Sequence, residues 1–99
     1  MIVIAKLVAK KGMENKMEII LKRIIPDVDR EKDTLVYTLN RSQNNPSVFL
    51  FYEKYKNADA LFSHSSSPYF KKLLKDLEPV LEKEPEIDLY EEIGSINSK

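Results

Sequence analysis

Two rhythms of apolar residues alternate along the chain. IVIAKLVA, Ile2 to Ala9, is β-branched and apolar on both alternate faces, which predicts a strand covered on both sides. After Gly12, the positions Met17, Ile20, Leu21, Ile24 and Val28 recur every three or four residues and form one stripe of a helix. Pro26 lacks an N–H and crowds the preceding turn, so this helix is expected to kink or stop near Ile25. Thr34 to Ser42 and Ser47 to Tyr55 have strand composition, and QNNP between them, Gln43 to Pro46, is turn chemistry, so the two make a hairpin. Asn57 is placed to cap a short helix reaching His64. Ser67 followed by Pro68 repeats the signal for a longer helix with the stripe Phe70, Leu73, Leu74, Leu77 and Leu81, whose last turns Pro79 should bend or fray. A final strand is expected from Glu86 to Ile93, with Ile87, Leu89 and Ile93 on one face, followed by a tail, GSINSK, that is loose or docks on a neighbour.

The order strand, helix, strand, strand, helix pair, strand contains no repeat or linker and reads as one domain over 1–99. With right-handed crossovers it gives an α+β fold, a ferredoxin-like βαββαβ sandwich with helices on one face of a four-stranded antiparallel sheet. The other sheet face is bare in a single copy. Because the first strand is apolar on both sides, that face would exceed the few hundred Å2 usual on a soluble monomer. Pairing of two copies through their sheets is the simplest remedy, and a homodimer is expected.

Charge removes some classes of partner. Sixteen basic and sixteen acidic side chains cancel and are interspersed, so no long-range field would draw in a nucleic acid. The lack of cysteine excludes disulfides, thiolate metal sites and cysteine nucleophiles, and agrees with a reducing compartment. MIVIAKLVAKK carries its basic pair after the apolar run, the reverse of a secretory signal, and no segment approaches the roughly 20 apolar residues of a membrane span. A cytoplasmic protein with no membrane partner is expected. One histidine makes a zinc site an unpromising reading, and two separated glycines, Gly12 and Gly94, cannot build a phosphate-cradling loop, so neither a metal nor a nucleotide or flavin cofactor is expected.

What remains is the chemistry around that single histidine. Helical spacing puts Ala60, Leu61 and His64 on one side and turns the imidazole inward. Strand period two aligns Phe49, Phe51, Glu53 and Tyr55, so Glu53 lies on an aromatic face and needs a partner, which His64 could supply. The residues alone leave open whether His64 is an acid–base group or a hydrogen-bonded filler closing a short helix, and whether Glu53 is anything beyond its structural partner. Ser63, Ser65, Ser66 and Ser67 read as loop and capping residues, since no acid–histidine–serine spacing fixes a nucleophile. Tyrosines 37, 52, 55, 69 and 90 read as core and rim, although a phenol lining a cavity can position an aromatic ring.

The pattern F-x-x-x-E-x-Y-x-N-x-x-A-x-x-x-H, running from Phe49 through Glu53, Tyr55, Asn57 and Ala60 to His64, resembles the antibiotic biosynthesis monooxygenase family, which includes quinol monooxygenases and the autoinducer-2-phosphate isomerase. Gly12, Tyr37, Asn45, Pro46, Ser67 and Phe70 extend the likeness over nearly the whole chain. The resemblance implies a dimeric α+β barrel with a small pocket between sheet and helices in each protomer. It implies a cofactor-independent oxygenase that deprotonates a small quinol or phenol, with His64 as base, Glu53 orienting it, and Tyr37, Tyr55, Phe49, Phe51 and Tyr69 lining the pocket. It also implies an alternative, an isomerase of a small phosphorylated ketone, for which Arg41 is the nearest cation. A second alternative, a non-catalytic ligand-binding dimer, rests on the ordinary structural explanations open to every polar residue above. The chain departs from many relatives by EKDTL in place of a segment like E-P-G-C, and by Tyr55 in place of tryptophan. Haem turnover is not expected, because strand one offers no asparagine and the chain has no tryptophan.

Overall fold

The structure, a computed structural model, describes residues 1–97. The last two residues of the expected tail lie outside the described residues. The elements run β1 (Ile2–Val8), α1 (Glu14–Lys22), α2 (Ile25–Asp29), β2 (Thr34–Arg41), β3 (Val48–Tyr55), α3 (Ala58–Ser65), α4 (Pro68–Leu77) and β4 (Glu86–Tyr90). The strands form one sheet in the order β2-β3-β1-β4, every neighbouring pair antiparallel. This is the ferredoxin-like α+β fold, in which both crossovers carry helices to the same side of the sheet.

Alternation along the strands assigns the two faces. Val3, Ala5 and Leu7 of β1 pair with Glu53, Phe51 and Phe49 of β3 and are buried under the helices. Met17, Ile20 and Leu21 of α1, Val28 of α2, and Leu73 and Leu77 of α4 close the core from above. At about 25 cal/mol per Å2 of apolar surface removed from water, this layer is the main source of folding free energy. The opposite face carries Ile4, Val8, Val48, Leu50 and Tyr52, all only half-buried. The helices pack on the other side.

Local chemistry explains the boundaries. Gly12 takes a left-handed φ of 85°, a conformation open to glycine, and its N–H donates to the Glu14 carboxylate at 2.8 Å, which starts α1 without a side-chain cap from Met13. Asn57 Oδ1 accepts from the Ala60 N–H at 2.9 Å and caps α3, and Ser67 Oγ accepts from the Phe70 N–H and caps α4.

Of the two outcomes expected at Pro26, the helix stops rather than kinks: α1 ends at Lys22, and Pro26 sits in the first turn of a separate α2, where its missing N–H costs nothing. Two other expectations change. The α4 stripe does not reach Leu81, because Pro79 has no N–H for the helical ladder. The chain makes one further turn, with the Val80 and Leu81 N–H groups both donating to the Leu77 carbonyl, and Leu81 then bridges to Ala9. The final strand stops at Tyr90 rather than Ile93, and Ile87 and Leu89 remain more than half exposed at the sheet edge.

Asn57→Ala should destabilise the fold by about 1 kcal/mol, the ordinary cost of a lost N-cap. Urea denaturation should show a lower midpoint at unchanged slope, and an unaltered midpoint would mean that α3 does not depend on the cap.

Candidate functional site

The sheet and the α3–α4 corner enclose a polar cluster inside an otherwise apolar layer. His64, in the last turn of α3, is 2 % exposed and surrounded by rings: Tyr37 from β2, Tyr55 from β3 and Phe70 from α4, with ring centroids 5.3, 5.5 and 5.2 Å away. Its position follows from the cap at Asn57, which fixes the start of α3 and so directs Ala60 and His64 onto the sheet.

The carboxylate that meets the ring is Glu31, not Glu53. Glu31 stands between α2 and β2, and its two oxygens lie 3.1 and 3.0 Å from His64 Nδ1. Thr34 Oγ1 donates to the same carboxylate at 2.5 Å, and the Tyr69 hydroxyl donates to its other oxygen. Burial pushes the Glu31 carboxyl upward, but the hydrogen bonds from Thr34, Tyr69 and His64 outweigh it and hold the group below the ordinary glutamate value. An ionised carboxylate can only accept, so Nδ1 carries the proton that lies between them. In the neutral ring the lone pair is then on Nε2, which is fully buried and has no hydrogen-bond partner.

Glu53 is 6 % exposed and takes a different partner. Tyr55, two residues on and therefore on the same face of β3, donates its hydroxyl to Glu53 Oε1 at 2.6 Å. Desolvation raises the Glu53 carboxyl above its ordinary value, and the Tyr55 hydrogen bond and the His64 ring only partly oppose it. Burial likewise raises the phenols of Tyr37 and Tyr55, with Glu53 adding to the effect, and pushes Tyr69 up to about 12. The His64 surroundings therefore contain two carboxyl groups pushed in opposite directions, Glu31 toward the anion and Glu53 toward the acid.

A cavity of about 130 Å3 opens beside this cluster, walled by Tyr37, Phe51, Glu53, His64, Phe70 and Leu73. Leu61 of α3, Leu74 of α4 and Ile87 of β4 also line it, and Leu74 and Ile87 are exposed. Three residues expected in the pocket, Phe49, Tyr69 and Tyr55, do not line it. Phe49 is completely buried in the core beneath the Arg41 guanidinium, 5.0 Å from its ring centroid. Tyr69 faces a separate groove between α1 and α4 and reaches the site only through its hydroxyl on Glu31. Tyr55 touches the ring of His64 and holds Glu53, while Tyr37 and Phe51 line the cavity directly. Arg41 is committed to Glu18 at 3.1 Å and to the Pro46 carbonyl at 2.7 Å, so it is not a free cation for a phosphate. No group of three or more His, Cys, Asp or Glu able to hold a metal occurs among the described residues. No helix among them is long and apolar enough to cross a membrane.

Glu31 is the residue that sequence reasoning did not find. It sits in EKDTL, the segment that distinguishes this chain from many relatives, and no local periodicity ties it to a histidine 33 residues away.

A model of the antibiotic biosynthesis monooxygenase family matches residues 1–76. The chain belongs to that family. No curated protein matches it. Among solved structures, a conserved protein from Methanosarcina mazei Go1 superposes with a TM-score of 0.85 at 27 % identity, over 90 % of this chain and 88 % of that one. A protein from Caulobacter crescentus crystallised as a candidate antibiotic biosynthesis monooxygenase gives a TM-score of 0.83 at 28 % identity, over 88 % of this chain and 83 % of that one. A third, from Nitrosomonas europaea and described in the same way, gives 0.90 at 14 % identity over 94 % and 98 %, which speaks for the shared fold alone.

The two shifted carboxyls predict opposite pH responses. Glu31, lowered in the folded state, adds stability above its unfolded value that is lost as pH falls through its folded value. Glu53, raised in the folded state, adds stability that is complete below its unfolded value and is lost as pH rises through its folded value. Glu53→Gln removes the second loss while keeping an acceptor for Tyr55. The Tm of this variant relative to the unmutated protein should therefore climb as pH rises above the ordinary glutamate value, whereas a constant difference would show that Glu53 does not titrate with folding.

Proposed function

We propose that this family member is a cofactor-independent monooxygenase that oxidises a small, single-ring quinol or phenol with dioxygen. The observation that carries the reading is the buried, unpartnered Nε2 of His64 beside a small cavity with an apolar wall. A lone pair kept from both water and protein donors is available to a ligand O–H, and a dry site strengthens that encounter. The size fits one ring: an apolar cavity of about 150 Å3 takes up benzene.

In this reading Nε2 removes the phenolic proton, and the electron-rich anion in the cavity passes an electron to dioxygen. Recombination forms a carbon–oxygen bond on the ring, and cleavage of the resulting hydroperoxide releases water, so that hydroquinone and dioxygen become a hydroxyquinone and water. Glu53, held toward its acid form at the cavity wall, is suited to give the proton that the departing hydroxide takes. Tyr37, Phe51 and Phe70 form the wall against which the ring lies.

An isomerase of a phosphorylated ketone would use the same base, but it needs a cation beside the substrate phosphate. Among the described residues no lysine or arginine lines this cavity. A second copy is proposed to cover the open sheet face, where Ile4, Val8, Val48, Leu50 and Tyr52 stand half-buried together. Permanent interfaces of this kind bury about 2,000 Å2 or more.

Purified protein should consume dioxygen with a hydroquinone panel, and His64→Ala should lower kcat by about 10²–10⁴-fold at unchanged far-ultraviolet circular dichroism. Oxygen uptake that survives His64→Ala would reject the base assignment. No uptake with any quinol, together with a Tm raised by a bound metabolite, would make the protein a binding module. For assembly, light scattering should give a dimer that Leu50→Lys splits, and a soluble monomer of the unmutated chain would reject the sheet-to-sheet pairing.

A further inference from the structure

His64 has a second side. Behind the ring, Glu31, Lys32, Asp33, Thr34, Asn57 and Asp59 line an open polar pocket of about 460 Å3. Among the described residues, His64 is the one that borders both this pocket and the small apolar cavity. The two ring nitrogens flank Cε1 and point in different directions: Nδ1 meets Glu31, which lines the polar pocket, and Nε2 is fully buried without a partner.

That arrangement raises the question of where a proton goes once Nε2 has accepted it. The apolar side has no acceptor for it beyond the ligand, and Glu53 there is held toward its acid form. We propose that Glu31 is the proton outlet of the site: it receives the Nδ1 proton when Nε2 takes one from the ligand, and releases it into the open polar pocket. The inference rests on the base role proposed above for His64. It does not follow from a positioning role alone, since a carboxylate that only oriented the ring would need no contact with a solvent-filled space.

The transfer balances without a further reagent. The ligand O–H breaks and Nε2–H forms, Nδ1–H breaks and a Glu31 O–H forms, and the ring ends neutral with its proton on Nε2. Water in the pocket then takes the carboxyl proton. Nε2–H breaks as its proton restores the Glu53 carboxyl spent on the departing hydroxide, Nδ1 takes a proton back from the pocket water through Glu31, and the ring returns to the Nδ1–H form. The charged and titratable groups facing Glu31 are His64 from α3, Tyr69 from α4, and Lys32 and Asp33 in its own loop, with Asp59 across the pocket. Thr34 adds a hydroxyl from β2. The hydroxyls of Thr34 and Tyr69 occupy carboxylate lone pairs and keep Glu31 a weak base, which suits a group that must give its proton up again.

The chain's single histidine makes the test direct. Glu31→Gln leaves an amide oxygen to accept from Nδ1–H, and so keeps the tautomer, but it cannot take a proton. Nitrogen-15 NMR should show Nδ1 still protonated in this variant. Exchange of that proton with solvent should slow by about tenfold or more, a barrier rise of about 1.4 kcal/mol, while exchange of the Phe51 amide in the core stays unchanged. In Glu31→Ala, formate added to the solution should restore fast exchange, because the pocket is open to a small carboxylate. Unchanged exchange in Glu31→Gln with the tautomer intact, or no effect of formate on Glu31→Ala, would overturn the outlet and leave Glu31 as a positioning residue. Because exchange is read without substrate, a slowed rate in a protein that oxidises no phenol would keep the outlet and reject the oxygenase reading instead.

Discussion

The interaction on which the rest of the site depends is the contact between His64 and Glu31, a ring and a carboxylate brought together beneath a helix corner. The ring is almost completely enclosed by Tyr37, Tyr55 and Phe70, an environment that accepts a polar side chain only when it is partnered. Glu31 partners one nitrogen and is itself satisfied by Thr34 and Tyr69, so that β2, α3, α4 and the loop before β2 converge on one carboxylate. The other nitrogen is left without a partner. A buried acceptor in that state costs about 1–3 kcal/mol, a large fraction of the stability of a domain this size. Sites where a fold forgoes local satisfaction are where function is expected, and here the exception belongs to a residue that lines a ligand-sized space.

Two glutamates within one layer illustrate how environment, not residue type, assigns a role. Glu31 receives three hydrogen bonds at the edge of an open pocket and is held toward the anion. Glu53 receives one from Tyr55 in a deeper place and is held toward the acid. Separation of this kind lets a single histidine stand between a proton acceptor and a proton donor without either being neutralised by the other.

Much of the architecture is legible in the sequence because local rules and global packing agree. The caps at Asn57 and Ser67, the hairpin around QNNP and the period-two face of β3 all survive into the folded chain. Boundaries governed by proline were harder to place. Pro26 and Pro79 can each end one helix or begin another, and the choice depends on what the following residues pack against, which no local window contains. The site was half legible for the same reason. His64, Tyr37, Phe51 and Glu53 lie on elements whose faces follow from periodicity, whereas Glu31 lies in an irregular segment and meets His64 only because β2 returns beside β3. Pairing Glu53 with His64 was the natural guess from two residues on the same side of the sheet. The strand geometry instead offered Glu53 a nearer donor, Tyr55, two positions on.

The small cavity also bears on why a chain of 99 residues would devote its only histidine to this place. A domain of this length has little interior to spare, and an opening walled by Phe51, Phe70 and Leu73 forgoes packing that a filled core would supply. Its walls come from all four strands and from α3 and α4, most of them anchored elsewhere in the core, so the opening can persist without a loop or lid to prop it. Such an enclosure favours ligands that match it in size over ligands that must reshape it.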